Sequence, residues 1–335
     1  MNLDLAGLRQ RKLIGYGAGL ATLLTLRTTP LELEFIVDDK RESQGTTLLG
    51  IPIVPPTELH RVNLPEYCVI IFAYTGAAIR VIQDRLAASG LNCPDNLIDC
   101  SLLHFHSHRR RLKAALGLEA SADLFAMSRL SSIYTYPQNL SGAAGTWLYL
   151  ELVKELNQRT VAGDIAELGV FEGGSTLCSL LAGRQILSQR KLHLFDSFME
   201  LPGLSSRDST QRRSESADLS LTKVRNCFAL FENVRIHPGI FRDTLHTVRD
   251  ETFAFVYYDA DLYEPAVECC RFFYDKLKAG GMMLFHDYCA DEPELPRGAR
   301  LPFSGVKKAV DEFFAGREDR LLLFPETTHA LAIKA

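Results

Sequence analysis

The stretch Gly163-Asp-Ile-Ala-Glu-Leu-Gly-Val-Phe-Glu-Gly-Gly-Ser175 decides the fold. Asp164–Leu168 has strand character, a glycine turn follows, and a helical period runs over about 174–187. A short apolar strand that turns on glycine directly into a helix opens a parallel βα unit. Further strands are expected at Leu192–Phe195, Val234–His237, Phe253–Tyr258 and Met282–Phe285. Helices are expected over about 264–278 and 305–315. An amphipathic helix over about 140–160 leads into this series. The chain ends Leu321-Leu-Leu-Phe-Pro-Glu-Thr-Thr-His-Ala-Leu-Ala-Ile-Lys334, two strands joined by a short turn.

A second opening lies upstream, in Arg11-Lys-Leu-Ile-Gly-Tyr-Gly-Ala-Gly19. Glycines there let backbone N–H groups approach a phosphate at a helix N-terminus. Asp38 ends the next strand, where a ribose hydroxyl could bind. The third glycine of the dinucleotide fingerprint is replaced by Leu20. A nucleotide site and a packing role therefore both stay open for this half. The fold class expected is α/β, with two Rossmann-like domains at 1–110 and 111–335. The boundary segment His104-Phe-His-Ser-His-Arg-Arg-Arg111 reads as a solvated basic connector, with a metal site of alternating histidines as the alternative.

The 335 residues include 47% hydrophobic and 23% charged types, which excludes disorder over most of the chain. A net charge of −4 gives no general attraction to nucleic acid or anionic lipid. No apolar run reaches the ~18–20 residues that span a bilayer, and Met1-Asn2-Leu3-Asp4 does not begin a signal peptide. A cytoplasmic protein with no nucleic-acid or membrane partner is expected. The 8 cysteines form no CxxC pair and read as reduced core thiols.

Chemistry concentrates in the second half. Glu167, Gly169, Glu172, Gly173 and Ser175 form an acidic glycine turn at a strand end. S-adenosylmethionine bound there would lay its amino-acid part over the glycines. Asp196 closes the second strand in Leu192-His-Leu-Phe-Asp-Ser-Phe198, where a carboxylate suits both ribose hydroxyls. Five alternating strands closed by a hairpin are the layout of a class I methyltransferase sheet. Past the fourth strand, Val256-Tyr-Tyr-Asp-Ala-Asp-Leu-Tyr-Glu264 carries Asp259 and Asp261. Past the fifth come His286 and Asp287. Neighbouring strand ends meet at the ligand crevice of an open parallel sheet. Oxygen-rich clusters there suit a hard divalent ion. Helix capping is the plain alternative for each acid.

Residues from about 125 to 335 resemble the macrocin O-methyltransferase family of sugar O-methyltransferases. The resemblance rests on Ala166–Ser175, Leu194-Phe-Asp-Ser-Phe198, Gly239-Ile-Phe-Arg-Asp-Thr-Leu245, Tyr258-Asp-Ala-Asp-Leu-Tyr263 and Phe285-His-Asp-Tyr288. It implies S-adenosylmethionine as methyl donor, usually with magnesium, and a sugar-like acceptor. By position, Asp259 and Asp287 would hold the metal, and Asp261 would be the general base. Glu167, Gly169, Asp196, Ser197, Phe241 and Arg242 would contact the donor, with Asp259 and the glycine turn beside them. The family usually has two acids after the fifth strand. His286 stands in the first place, as a softer metal ligand favouring manganese, as the base itself, or as a packing residue. The stretches Gly45–Pro55 and Val69–Tyr74 resemble a Rossmann-like accessory domain of some sugar-modifying transferases, implying a nucleotide-sugar or structural role.

Two rival functions remain: a nicotinamide-dependent oxidoreductase built on Gly15–Gly19 and Asp38, and a donor-binding scaffold without catalysis. Loops 204–219 and 290–304 flank the expected site, the first as a lid or a plain insertion. Arg207, Arg212 and Arg213 could meet a phosphate. A homo-oligomer is expected.

Overall fold

The computed structural model describes residues 7–335 except 9, 92–95, 136–138, 200–204, 209–217, 293 and 300–301. The first sheet is built from β1 (Lys12–Tyr16), β2 (Leu33–Val37), β3 (Thr47–Leu48), β4 (Ile51–Val54), β5 (Tyr67–Ile71) and β6 (Leu97–Asp99). Their order is β3-β4-β2-β1-β5-β6, parallel except for the β3–β4 pair. α1 (Leu20–Thr28) follows β1, and α2 (Gly76–Ala88) follows β5.

Three helices join the sheets: α3 (Cys100–Leu116), α4 (Ala122–Tyr134) and α5 (Gly142–Gln158). The expected boundary at residue 110 falls inside α3. The solvated connector expected there is corrected by the structure. His104 and His108 are fully buried on this helix, and His106 is half-buried. The carboxylate that accompanies them, Glu326, comes from the far end of the chain and was invisible to local spacing. α5 is likewise not amphipathic. Trp147, Leu148, Leu150, Leu152 and Val153 are all inaccessible, so the helix is wrapped on nearly every side. Phe105 of α3 and Phe125 of α4 stack at 4.2 Å beside its Trp147.

The second sheet contains β7 (Asp164–Leu168), β8 (Leu192–Asp196), β9 (Val234–Pro238), β10 (Phe253–Tyr258), β11 (Leu277–Phe285), β12 (Arg320–Phe324) and β13 (His329–Ile333). α6 (Gly174–Leu187), α7 (Asp218–Phe228), α8 (Phe241–Thr244), α9 (Tyr263–Lys276) and α10 (Gly305–Phe314) alternate with them. The strand order is β12-β13-β11-β10-β7-β8-β9. β12 and β13 form the expected terminal hairpin, antiparallel to each other, with β13 lying antiparallel against β11. All six residues of β10 are buried, as a central parallel strand covered on both faces requires. The chain order reverses beside β7, between β8 and β10, so the crevice of this sheet lies at the ends of β7 and β10. Two α/β sheets of Rossmann-like kind, the second with its terminal hairpin, were both readable in the sequence.

The 7 described cysteines are free thiols, and 6 of them are buried. No helix among the described residues is long and apolar enough to cross a membrane.

Candidate active site

At the crevice, Gly169 directly follows β7 and Asp259 directly follows β10. Gly169 has φ +93°, and a Cβ there would fall on the Asp259 carbonyl oxygen. The glycine is thus demanded by the close approach of two strand ends, before any ligand is considered. This locks Asp259 against the turn that precedes α6.

Asp259, His286 and Asp287 converge there, with one ligand atom from each lying within 4.8 Å of the others. His286 Nδ1 lies 2.7 Å from Asp259 Oδ1 and 3.4 Å from Asp287 Oδ2. Burial opposes a charge on His286. The Asp259 and Asp287 carboxylates outweigh it and push the imidazole well above its ordinary range. The second oxygen of Asp259 accepts from Ser141 Oγ at 3.1 Å and from Tyr257 OH at 3.2 Å. Ser141 Oγ also meets Ser175 Oγ at 3.0 Å. The His329 ring packs 4.7 Å from that of His286.

Asp261 and Asp287 both sit at positive φ, +65° and +55°. Left-handed backbone at two successive strand-end loops is uncommon for side-chain-bearing residues and aims both acids at the crevice. A cavity of about 330 Å³ opens in front of them. Gly169, Gly174, Ser175, Asp259, Asp261, His286 and Asp287 line one side of it. The other side belongs to the first sheet.

The remaining expected donor residues lie elsewhere. Asp196 directs Oδ2 to the backbone N–H groups of Val170 and Phe171, each at 2.8 Å, and Oδ1 to that of Phe198 at 2.8 Å. It therefore ties the glycine turn to β8. Glu167 is buried behind the turn, accepting from Thr176 Oγ1 at 2.6 Å. Burial pushes its carboxyl up to about 8, with the Thr176 bond opposing. Glu172 pairs with Lys223, and Ser197 Oγ donates to the Met199 carbonyl at 3.3 Å. Gly173 caps α6 at φ +82°, where a Cβ would press on Phe228. Phe241 is a core residue, and Arg242 is exposed and paired with Glu268. Arg207 is held by Glu312 and lies over the Tyr263 ring. Arg212 and Arg213 lie outside the described residues.

In the first sheet, Asp38 accepts from the Ala18 N–H at 2.6 Å and the Lys40 N–H at 2.7 Å. Its carboxylate thus braces the glycine turn after β1. Sequence reasoning missed Ser141, Tyr257 and His329. Tyr257 stood inside the motif that named Asp259. Ser141 and His329 carried no local signal, because folding alone brings them there.

Residues 147–297 match the family model described as macrocin O-methyltransferase. A Streptomyces niveus demethyldecarbamoylnovobiocin O-methyltransferase is 30% identical over 179 residues, 49% of this chain and 63% of that protein. A Micromonospora griseorubida mycinamicin III 3''-O-methyltransferase is 30% identical over 147 residues, 38% of this chain and 56% of that protein. A third, an 8-demethyl-8-(2,3-dimethoxy-alpha-L-rhamnosyl)-tetracenomycin-C 4'-O-methyltransferase of Streptomyces olivaceus, is also 30% identical, over 39% of this chain and 55% of that protein. The chain thus spans less than two thirds of the length of these relatives. Over residues 147–297, somewhat less than half of its length, the chain is thus similar to the macrocin O-methyltransferase family.

Proposed function

We propose that this protein transfers a methyl group from S-adenosylmethionine to a hydroxyl of a sugar-like acceptor in natural-product or glycan biosynthesis, with a divalent ion assisting. The observation that carries the reading is the convergence of Asp259, Asp261, His286 and Asp287 on one cavity beside the Gly169–Ser175 turn. The relatives named above, all O-methyltransferases by name, support it.

The donor set fits a divalent cation. Two carboxylates and one ring nitrogen converge, and His286 Nδ1 faces both acids. Asp259, His286 and Asp287 would hold the ion. When bound, it supplies positive charge that acidifies a nearby hydroxyl. Ser141 and Tyr257 fix the free oxygen of Asp259, so its other oxygen keeps one direction. Asp261 faces the cavity without belonging to the three-residue cluster. It is placed to accept the hydroxyl proton as the oxygen attacks the methyl carbon. The glycine turn orients the donor, and most of the acceleration comes from holding the two reactants together.

One observation favours a metal-free version. The Asp259 and Asp287 carboxylates flank the ring and raise the His286 imidazole well above its ordinary range, which favours a positive charge at the centre without any ion. A charged imidazole is no base, so Asp261 remains the proton acceptor in either version.

The test is transfer of labelled methyl from S-adenosylmethionine to sugar glycosides, with wild type and Asp261→Asn compared. Loss of transfer in Asp261→Asn with donor affinity kept supports the reading. A wild type that binds no S-adenosylhomocysteine defeats it. Chelation followed by manganese titration separates the two versions: activity that survives chelation selects the metal-free one.

A further inference from the structure

The cavity before Asp259 has two unlike walls. One carries four ionisable side chains. The opposite wall comes from the first sheet: Gly19, Leu20 and Ala21 at the start of α1, with Phe72 and Tyr74 past β5, and at its edge Lys40, whose ammonium is engaged by the Gly298 carbonyl. Phe72 and Tyr74 stand at the crevice of their own sheet, where the chain order reverses beside β1. There Gly17, at φ +101°, approaches the Phe72 carbonyl as Gly169 approaches that of Asp259. Where the second sheet places a carboxylate, the first places a benzyl group.

The two carboxylates that follow β2 are meanwhile engaged by the protein's own groups. Asp38 braces the glycine turn. Asp39 is engaged by Arg85 and by Tyr16 OH. Three tethers hold this wall against the second sheet unit. Arg27 pairs with Glu292 at 2.7 Å and Glu294 at 2.8 Å. Lys40 Nζ donates to the Gly298 carbonyl at 2.6 Å. Tyr74 OH donates to the Glu326 carbonyl at 3.0 Å, beside the cavity residues Thr327 and Thr328.

We propose that the N-terminal sheet unit is the acceptor-selecting wall of the methyl-transfer cleft, built from Gly19, Leu20, Ala21, Phe72 and Tyr74 to receive the apolar face of a glycoside whose hydroxyl edge meets Asp261. The inference rests on the methyl-transfer reading above. It assigns the first sheet a substrate-recognition role in place of a dinucleotide site. A sugar ring has a C–H face and a hydroxyl edge, and a cleft with one apolar and one charged wall orients such a molecule.

Gly19 provides a clean probe. Its φ of −120° is open to any residue, and a Cβ there meets nothing within 4 Å. A larger side chain would therefore enter the cavity without straining the fold. The experiment compares wild type, Gly19→Ala and Gly19→Leu. It measures S-adenosylhomocysteine affinity by calorimetry and methyl transfer to 4-nitrophenyl glycosides of rhamnose, glucose and galactose. We expect the KM of each accepted glycoside to rise with side-chain size, by about tenfold or more for Gly19→Leu, with kcat and donor affinity within about twofold of wild type. Unchanged KM in a folded Gly19→Leu overturns the inference. So does a parallel loss of S-adenosylhomocysteine affinity, since the wall would then serve the donor. If Gly19→Leu does not fold, Gly19→Ala decides by the same measures. A wild type that binds S-adenosylhomocysteine but methylates none of the glycosides refutes the sugar-acceptor reading, and the inference falls with it. That result is distinct from an altered KM pattern.

Discussion

Asp38 and Asp196 occupy matching places in the two sheets. Each stands at the end of the strand next to the first, accepts a backbone N–H from the preceding glycine turn, and accepts another from two residues further on. Asp196 accepts twice from its turn, at Val170 and Phe171. A carboxylate offers acceptors alone, so it satisfies several N–H donors that an amide side chain would partly oppose.

Asp196→Asn should therefore destabilise the protein even without donor, by about 1–3 kcal/mol. It should also weaken S-adenosylhomocysteine binding. Urea denaturation of the free protein checks the first part and calorimetry the second. An unchanged urea midpoint would mean that Asp196 does not hold the turn.

Gly169→Ala should be among the most damaging single substitutions. The residue would need a positive φ and would drive its methyl onto the Asp259 carbonyl. Relief requires moving β10 away from β7, which displaces Asp259 from His286. A loss of several kcal/mol of stability, on the order of the largest point-mutant effects, is expected. Gly19→Ala, with open space before it, is the control that should leave the thermal midpoint in place.

Much of this architecture could be read from the chain alone. Strand–glycine–helix openings at Gly15–Gly19 and Gly163–Ser175 announced two α/β sheets, and the terminal hairpin followed from its apolar runs around Pro325. The pairing of Asp259 with Asp287 was legible because neighbouring strand ends must meet at the crevice. His104 and His108 were misread because their partner Glu326 is distant in sequence, so local composition looked basic and solvated. The left-handed backbone at Asp261 and Asp287 has no glycine to signal it. The second wall of the cleft depends on how two sheets face each other, which no local pattern encodes.

Glu326 lies fully buried at the turn between β12 and β13, 3.8 Å from His108 Nε2, with Arg111 Nη2 at 2.9 Å and Ser107 Oγ donating to it. Burial alone would raise its carboxyl. His108, Ser107 and Arg111 outweigh that and bring it down to about 2. A carboxyl whose folded pKa is depressed stabilises the fold above its unfolded pKa and loses that contribution as pH falls through the folded value. Burial, for its part, lowers His108 to about 3, so the fold also favours the neutral ring. That contribution is complete above the unfolded histidine value and fades as pH falls. Both groups therefore cost stability on acidification, Glu326 between about 4.5 and 2 and His108 between about 6.5 and 3. Glu326→Gln should lower stability at neutral pH and flatten the acid limb below pH 4.5. Chemical denaturation from pH 7 to 3 measures this, and identical slopes in the two proteins would contradict it.

Glu167 has the opposite sign. Burial raises its carboxyl from 4.5 to about 8, so the folded protein keeps a proton that the unfolded chain gives up. A raised carboxyl contributes most below its unfolded pKa and loses its contribution as pH rises through the folded value. The window is therefore about 4.5 to 8. Glu167→Gln mimics the protonated acid, retaining an oxygen to accept from Thr176. The variant should match wild type near pH 4 and exceed it increasingly towards pH 8, by an amount on the order of a few kcal/mol. The comparison belongs in the donor-free protein, where no ligand charge faces the carboxyl. Thermal midpoints that keep the same separation from pH 4 to 8 would show that Glu167 is ionised in the fold. Its proton would then play no part in holding the glycine turn.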